Sequence, residues 1–146
     1  MTHTFLAAER ETLIRESFAA QTLMQTFGAE IAELGQGHAV IVAPILPGAR
    51  QQQGFGHAGL TFALGDTAAG YAALGLMPEG MEVLTVEMKI NLMAPAAGQR
   101  LIATGKVEKA GRRLSVVSAE VVAEGDDGRH RKVALLQGTM IPVDAR

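Results

Sequence analysis

The chain is 146 residues long and 48% hydrophobic, with a formal net charge of −2 and no cysteine. That length and apolar content suit one packed domain rather than a disordered chain. The charge offers no basic field for nucleic acid, and the absence of cysteine excludes disulfides, a thiolate nucleophile and cysteine metal sites.

The N-terminus carries Glu9, Arg10 and Glu11 and no long apolar run. This predicts no signal peptide and a cytoplasmic protein. Residues Phe5 to Phe27 read as one amphipathic helix, with Thr4 as its cap and Gly28 as its stop. Leu13, Met24 and Phe27 can share its apolar stripe, with Glu9, Arg15 and Glu16 outside. Such a helix is expected to pack on the edge of a sheet rather than to serve as a lid. Ala29 to Leu46 reads as a hairpin turning at Gly35-Gln36-Gly37. Pro44 and Pro47 restrict the chain that leaves it, and the loop to Gly56 delivers Gln51, Gln52 and Gln53.

From His57 to Leu76 there is no proline, and alanine and leucine dominate. These are strong helix formers, and a helix apolar on every face is a buried one. Glycine, threonine and aspartate break the run too often for a membrane span. Gly59, Gly65, Gly70 and Gly75 each cost about 1 kcal/mol relative to alanine. Close approach by a sheet, or by a second copy of the helix, is the expected reason.

Val83 to Met93 alternates. Leu84, Val86, Met88, Ile90 and Leu92 are expected on the face that covers the central helix, and Thr85, Glu87, Lys89, Asn91 and Met93 on the other. Further strands are predicted at Arg100 to Lys109, Arg113 to Glu124 and Arg131 to Val143. Ala110-Gly111 and the Gly125-Asp126-Asp127-Gly128 run supply the turns. A long helix and an antiparallel meander make an α+β fold. Lys106, Lys109, Arg112 and Arg113 gather near one hairpin, and Arg129, His130, Arg131 and Lys132 form a second basic cluster. The latter reads as surface, partly neutralised by Asp126 and Asp127. The histidines lack partners at ligand spacing, so no metal site is argued.

Asp66 is the only carboxylate in the central apolar run, and such a group is costly unless paired, hydrated or opened to a cleft. A carboxylate in apolar surroundings suits a general base or nucleophile. A structural hydrogen bond is the competing reading. Ahead of the helix, Gly54, Gly56, Ala58 and Gly59 leave free N–H groups at a helix N-terminus, the chemistry of an oxyanion hole. Gly59 and Asp66 share a helix face but lie about 10.5 Å apart along the axis. A base acting through one water should sit only about 6 Å from the oxyanion donors. Two antiparallel helices in a dimer, with Gly59 of one facing Asp66 of the other, would close that gap.

The run Gln51-Gln52-Gln53-Gly54-Phe55-Gly56-His57-Ala58-Gly59, followed by Asp66, resembles the signature of the hotdog-fold acyl-CoA thioesterases, closest to their PaaI-like branch. That signature is Asn-x-x-Gly-x-x-His-Gly-Gly with an Asp nine residues after the His. The blocks Leu84 to Asn91, Ala94 to Gly98, Gly111-Arg112 and Gly138-Thr139-Met140 also match. Gln51 replaces the usual Asn and Ala58 the first Gly of the pair. The resemblance implies a hotdog core over about 28–143 behind an N-terminal helix over about 5–27, in a single domain. It implies an acyl-CoA substrate, no cofactor, and a homodimer pairing into a tetramer. Asp66 would be base or nucleophile, and Gly59, with Gln51, would bind the oxyanion. His57 would fix the turn, Thr85 would hold the water, and Arg112 and Arg113 would meet coenzyme A phosphates. A non-catalytic acyl-CoA binding protein and a hydratase or dehydratase on the same fold are the other readings. The second usually pairs a carboxylate with a catalytic His, and His57 lies on the far side of the helix from Asp66.

Overall fold

The computed structural model describes residues 4–146. The helices are α1 (Ala8–Ala19), α2 (Thr22–Phe27) and α3 (Ala58–Leu74); the strands are β1 (Glu30–Gly35), β2 (His38–Pro44), β3 (Met81–Leu92), β4 (Arg100–Ala110), β5 (Ser115–Glu124) and β6 (His130–Asp144). The strands form one antiparallel sheet in the order β1-β2-β4-β5-β6-β3, so β1 and β3 are its edges. α3 crosses the inner face and touches every strand. An antiparallel sheet around one long helix is the hotdog arrangement. No helix among the described residues is long and apolar enough to cross a membrane.

The core lies between α3 and the inner sheet face. On β5, Val117, Ala119, Val121 and Ala123 are buried while the residues between them are less so, as a sheet with one covered face requires. Leu60, Leu64 and Ala68 of α3 are fully enclosed. Many partners are alanines, and small residues let the helix approach the sheet closely. The closest approach is at Gly105 of β4, where an added Cβ would lie 2.3 Å from the Ala68 carbonyl carbon and 2.4 Å from Ala69 N. The helical glycines play lesser parts. A Cβ at Gly65 would meet Leu136 at 2.9 Å and one at Gly75 the Gly35 carbonyl at 3.2 Å, whereas Gly70 has ordinary room and Gly59 meets only its own His57 ring. Close packing therefore explains Gly65 and Gly75, and the backbone-to-backbone contact comes from the strand.

The N-terminal segment is two helices, not one. Gln21 is extended (φ −79°, ψ 101°) and breaks the run between α1 and α2. On an unbroken helix Ile14 and Met24, ten positions apart, would point about 80° away from each other; the break lets both be buried. Leu13, expected in the stripe, is 51% exposed, and Ile14 takes its place. The helix starts after Ala7 without a side-chain cap, so Thr4 does not cap it. Gly28 does end the segment, in the left-handed conformation (φ 66°) that favours glycine. Arg10 donates to the Met77 carbonyl at 2.9 Å, tying α1 to the chain just past α3.

β3 departs from simple alternation. Thr85 pairs with Met140 and Glu87 with Thr139, so Val86 is an extra, bulged residue. Before the bulge Val83 and Thr85 face α3; after it Met88 and Ile90 do, packing on the core with Val83. Leu84, Val86 and Leu92, expected against the helix, are more than half exposed on this edge strand.

Candidate active site

The loop that enters α3 is pinned from several sides. Arg50 donates to the Gly54 and Ile45 carbonyls, Gly56 N–H to Ala96 O, and His57 N–H to Ala49 O. Gln51 Oε1 accepts the N–H groups of Gln53 at 2.6 Å and Phe55 at 3.2 Å. Its acceptor end is thus committed to the loop, and its amide Nε2 remains the outward donor. Gln51 lines a groove of about 410 Å³ with Phe55, Ala58, Thr61, Leu92 and Pro95.

His57 caps α3: its Nδ1 accepts the Gly59 N–H at 2.7 Å. This is the turn-fixing role expected of the ring. It also engages the N–H expected to meet the oxyanion, and it requires Nδ1 to be unprotonated. The neighbouring Ala58 N–H has no acceptor among the described residues, and Ala58 faces the Gln51 groove. Ala58 is among the N–H donors expected at the helix N-terminus, although the oxyanion is assigned there to Gly59. His57 makes no contact with Asp66.

Asp66 sits at the middle of α3 and opens into a second cavity, of about 290 Å³, shared with Ser17, Gln21, Tyr71, Glu82 and Thr85. Thr85 Oγ1 donates to Asp66 Oδ1 at 2.7 Å and also lies 3.2 Å from Met140 Sδ. The bulge at Val86 is what turns Thr85 inward to make this bond. Asp66 Oδ2 has no partner among the described residues. Burial pushes the Asp66 carboxyl above its ordinary 3.8, and the Thr85 hydroxyl pulls it part of the way back. A half-buried carboxylate with one oxygen fixed and the other free suits proton abstraction from water.

The polar residues around it were not singled out from the sequence. Gln21 Nε2 donates to the Tyr71 hydroxyl at 2.7 Å, the Tyr71 and Ser17 hydroxyls are 3.0 Å apart, and Ser17 donates to Glu82 Oε2 at 2.9 Å. Each of these pairs is 50 or more residues apart in sequence, so no local spacing announced them.

The basic residues behave differently from one another. Arg112 and Arg113 are exposed in the turn between β4 and β5 and have no ion pair among the described residues. Lys106 lies 3.3 Å from Glu108, Lys132 3.1 Å from Glu120, and Arg129 3.4 Å from Asp127, all as surface pairs. A further cavity, of about 870 Å³, lies on the outer sheet face among Lys89, Lys106, Glu108 and Glu120. Among the described residues no group of His, Asp and Glu could hold a metal.

The sequence profile of the thioesterase superfamily matches residues 53–129, which include the end of the loop from Gln53, α3 with Asp66, and Thr85. A thioesterase family protein from Silicibacter pomeroyi is 39% identical, with a TM-score of 0.90 over 93% of this chain and 99% of that one. A conserved protein of Pseudomonas aeruginosa is 31% identical, with a TM-score of 0.79 over 88% of this chain and 98% of that one. The E. coli PaaI protein from the phenylacetic acid degradation operon shares the fold, with a TM-score of 0.83 over 96% of this chain and 97% of that one, at 23% identity. No curated protein sequence matches the chain. A hotdog fold, a capped helix N-terminus behind a polar loop and a half-buried aspartate on the same helix agree with the profile and with the 39% identical structure: the chain belongs to the thioesterase superfamily and is a thioesterase.

Proposed function

We propose that the protein hydrolyses acyl-coenzyme A thioesters at a site shared by two copies of the chain. The observation that carries the reading is Asp66, a carboxylate raised above its ordinary range by burial and held by Thr85 at a cavity mouth. Its free Oδ2 takes a proton from water, and the resulting hydroxide adds to the thioester carbonyl carbon. The oxyanion that forms is met by Ala58 N–H, by Gly59 N–H shared with or released from His57, and by Gln51 Nε2, with the α3 dipole behind them. The C–S bond then breaks, coenzyme A leaves as a thiolate, and the proton on Asp66 returns to sulfur or solvent. Direct attack by Asp66 to give an anhydride uses the same groups.

Sharing across two subunits is supported by the distribution of the parts. The oxyanion groove and the Asp66 cavity have no lining residue in common, and about 10.5 Å of helix separates Gly59 from Asp66. β3 is an open edge with exposed Leu84 and Val86, and such an edge is a template for pairing with a second copy. Antiparallel pairing there would bring α3 of one subunit past α3 of the other. Arg112 and Arg113, exposed and unpaired among the described residues, are proposed to meet the phosphates of coenzyme A through their forked donors. Pairing of dimers into a tetramer and a cytoplasmic location are also part of this reading.

Thiol release from a panel of aromatic and aliphatic acyl-CoAs tests it directly. Release from at least one member is expected; none from any member, by a folded dimer, would remove the reading. Two variants probe the separate halves. Gln51→Glu keeps an oxygen acceptor for Gln53 and Phe55 but loses the N–H donor. It should melt near wild type while kcat/KM falls about tenfold or more. Thr85→Ala removes the hydroxyl that lowers the Asp66 pKa. The acidic limb of the kcat profile should therefore move to higher pH, with kcat down about tenfold at neutrality. A limb that moves to lower pH would contradict the assigned bond.

A further inference from the structure

We infer that Ser17 and Gln21, at the junction of α1 and α2, are positioning residues of the site: through Tyr71 and Glu82 they close one wall of the Asp66 cavity and control how much water reaches the carboxylate. This rests on the reading of Asp66 as the base. The hydrogen bonds fix the order of the chain. Ser17 has one hydroxyl proton and gives it to Glu82, so toward Tyr71 it can only accept. Tyr71 therefore donates to Ser17 and accepts from Gln21. Glu82 is the terminal acceptor, with its other oxygen taking the Val83 N–H at 3.1 Å. The chain runs from the N-terminal segment, through α3, back to that segment and on to β3, and all four residues line the cavity that Asp66 opens into.

Each link has a reason to persist. Tyr71 is almost fully buried, so its hydroxyl needs partners. Burial also raises its pKa, which keeps it a donor. Ser17 and Gln21, four residues apart, both reach that hydroxyl. The titratable groups that line the cavity with Asp66 are Tyr71 from α3 and Glu82 from β3. The N-terminal segment contributes the neutral Ser17 and Gln21, and β6 brings Met140 to Thr85. The N-terminal helices therefore form part of the wall of the cavity that Asp66 opens into.

The test is a ¹³C NMR titration of the Asp66 carboxyl, assigned by Asp66→Asn, in wild type, Tyr71→Phe, Ser17→Ala/Gln21→Ala and Glu82→Gln. The first two variants should let water in and bring the Asp66 titration down toward the ordinary carboxylate range. The acidic limb of hydrolysis should follow, with kcat/KM at neutrality down roughly tenfold. An Asp66 titration unchanged in both, alongside a lowered Tm, would overturn the inference and leave a purely structural clasp. Glu82→Gln keeps an acceptor for Ser17 and removes the charge. A fall as large as that in Tyr71→Phe would show charge rather than closure at work, and would also overturn it. The titration does not depend on turnover. If Asp66 responds as expected while wild type releases no thiol, the hydrolytic reading fails and the wall stands.

Discussion

Under the proposed mechanism, replacing Asp66 by alanine should lower acyl-CoA hydrolysis by at least about a hundredfold, the smaller end of what a general base contributes, without unfolding the chain. The reason is local. Asp66 is the only carboxylate on α3, it is raised above its ordinary range by burial, and its second oxygen is free to take a proton. Asp66→Asn sharpens the expectation, because its amide oxygen can still accept the Thr85 hydroxyl. It should be as inactive as the alanine variant yet more stable than wild type at neutral pH. Below the ordinary 3.8 the carboxyl is protonated in both folded and unfolded chains and costs nothing. As pH climbs from there to the raised folded value, the unfolded state releases its proton first and stability falls. Above that value the cost is constant, and asparagine does not carry it. The stability advantage of Asp66→Asn over wild type should therefore grow across that window and then level off, as thermal melts at a series of pH values would show. A variant that hydrolyses normally would identify Asp66 as a structural hydrogen-bond acceptor and nothing more.

The second large effect is on folding. Gly105→Ala should destabilise the protein by about 3 kcal/mol or more, the upper range for overpacking, because the new methyl meets backbone rather than a side chain that can rotate. Ala68 C and O and Ala69 N all lie within 2.4 Å of the added Cβ. Either β4 leaves the sheet locally or α3 moves away from it. A displacement of α3 here, next to Asp66, would also lower activity. The expected fall in Tm is roughly 10 °C for a chain of this size. Gly65→Ala is the contrast: its nearest neighbours are the methyl groups of Leu136, which can turn aside, so its cost should be well below that of Gly105→Ala. Equal melting temperatures for the two variants would contradict the packing described.

How much of this was legible in the sequence depends on whether the signal was local. α3 declared itself by alanine, leucine and the absence of proline, and its boundaries fell within a few residues of those expected. The hairpin turns at Gln36-Gly37 and Gly125 to Gly128 followed from turn chemistry, because glycine there accepts backbone angles that other residues resist. The break between Ala19 and Thr22 had no glycine or proline to mark it; tertiary burial of Ile14 and Met24 produced it. The bulge at Val86 was invisible for a similar reason, since the alternation of Val83 to Met93 runs on without interruption. That one extra residue decides the site, because it turns Thr85 toward Asp66 and leaves Leu84 outside. Gly105 was readable in principle, since a lone glycine in a strand marks close backbone approach. Asp66, Gln51, His57 and Gly59 could be read because they are packed into one short run of sequence. Ser17, Gln21, Tyr71 and Glu82 could not, because only the folded chain brings them together.

The central claim is that two copies of the chain complete one site, and complementation tests it most directly. Asp66→Ala and Gln51→Glu subunits, differently tagged, would be co-expressed and the mixed dimers assayed for thiol release beside each parent. In a two-fold dimer with shared sites, each mixed dimer holds one site with both residues intact, so hydrolysis should recover to about half the wild-type rate per dimer. Mixed dimers no more active than the parents would place the oxyanion donors and Asp66 within a single subunit and contradict the account.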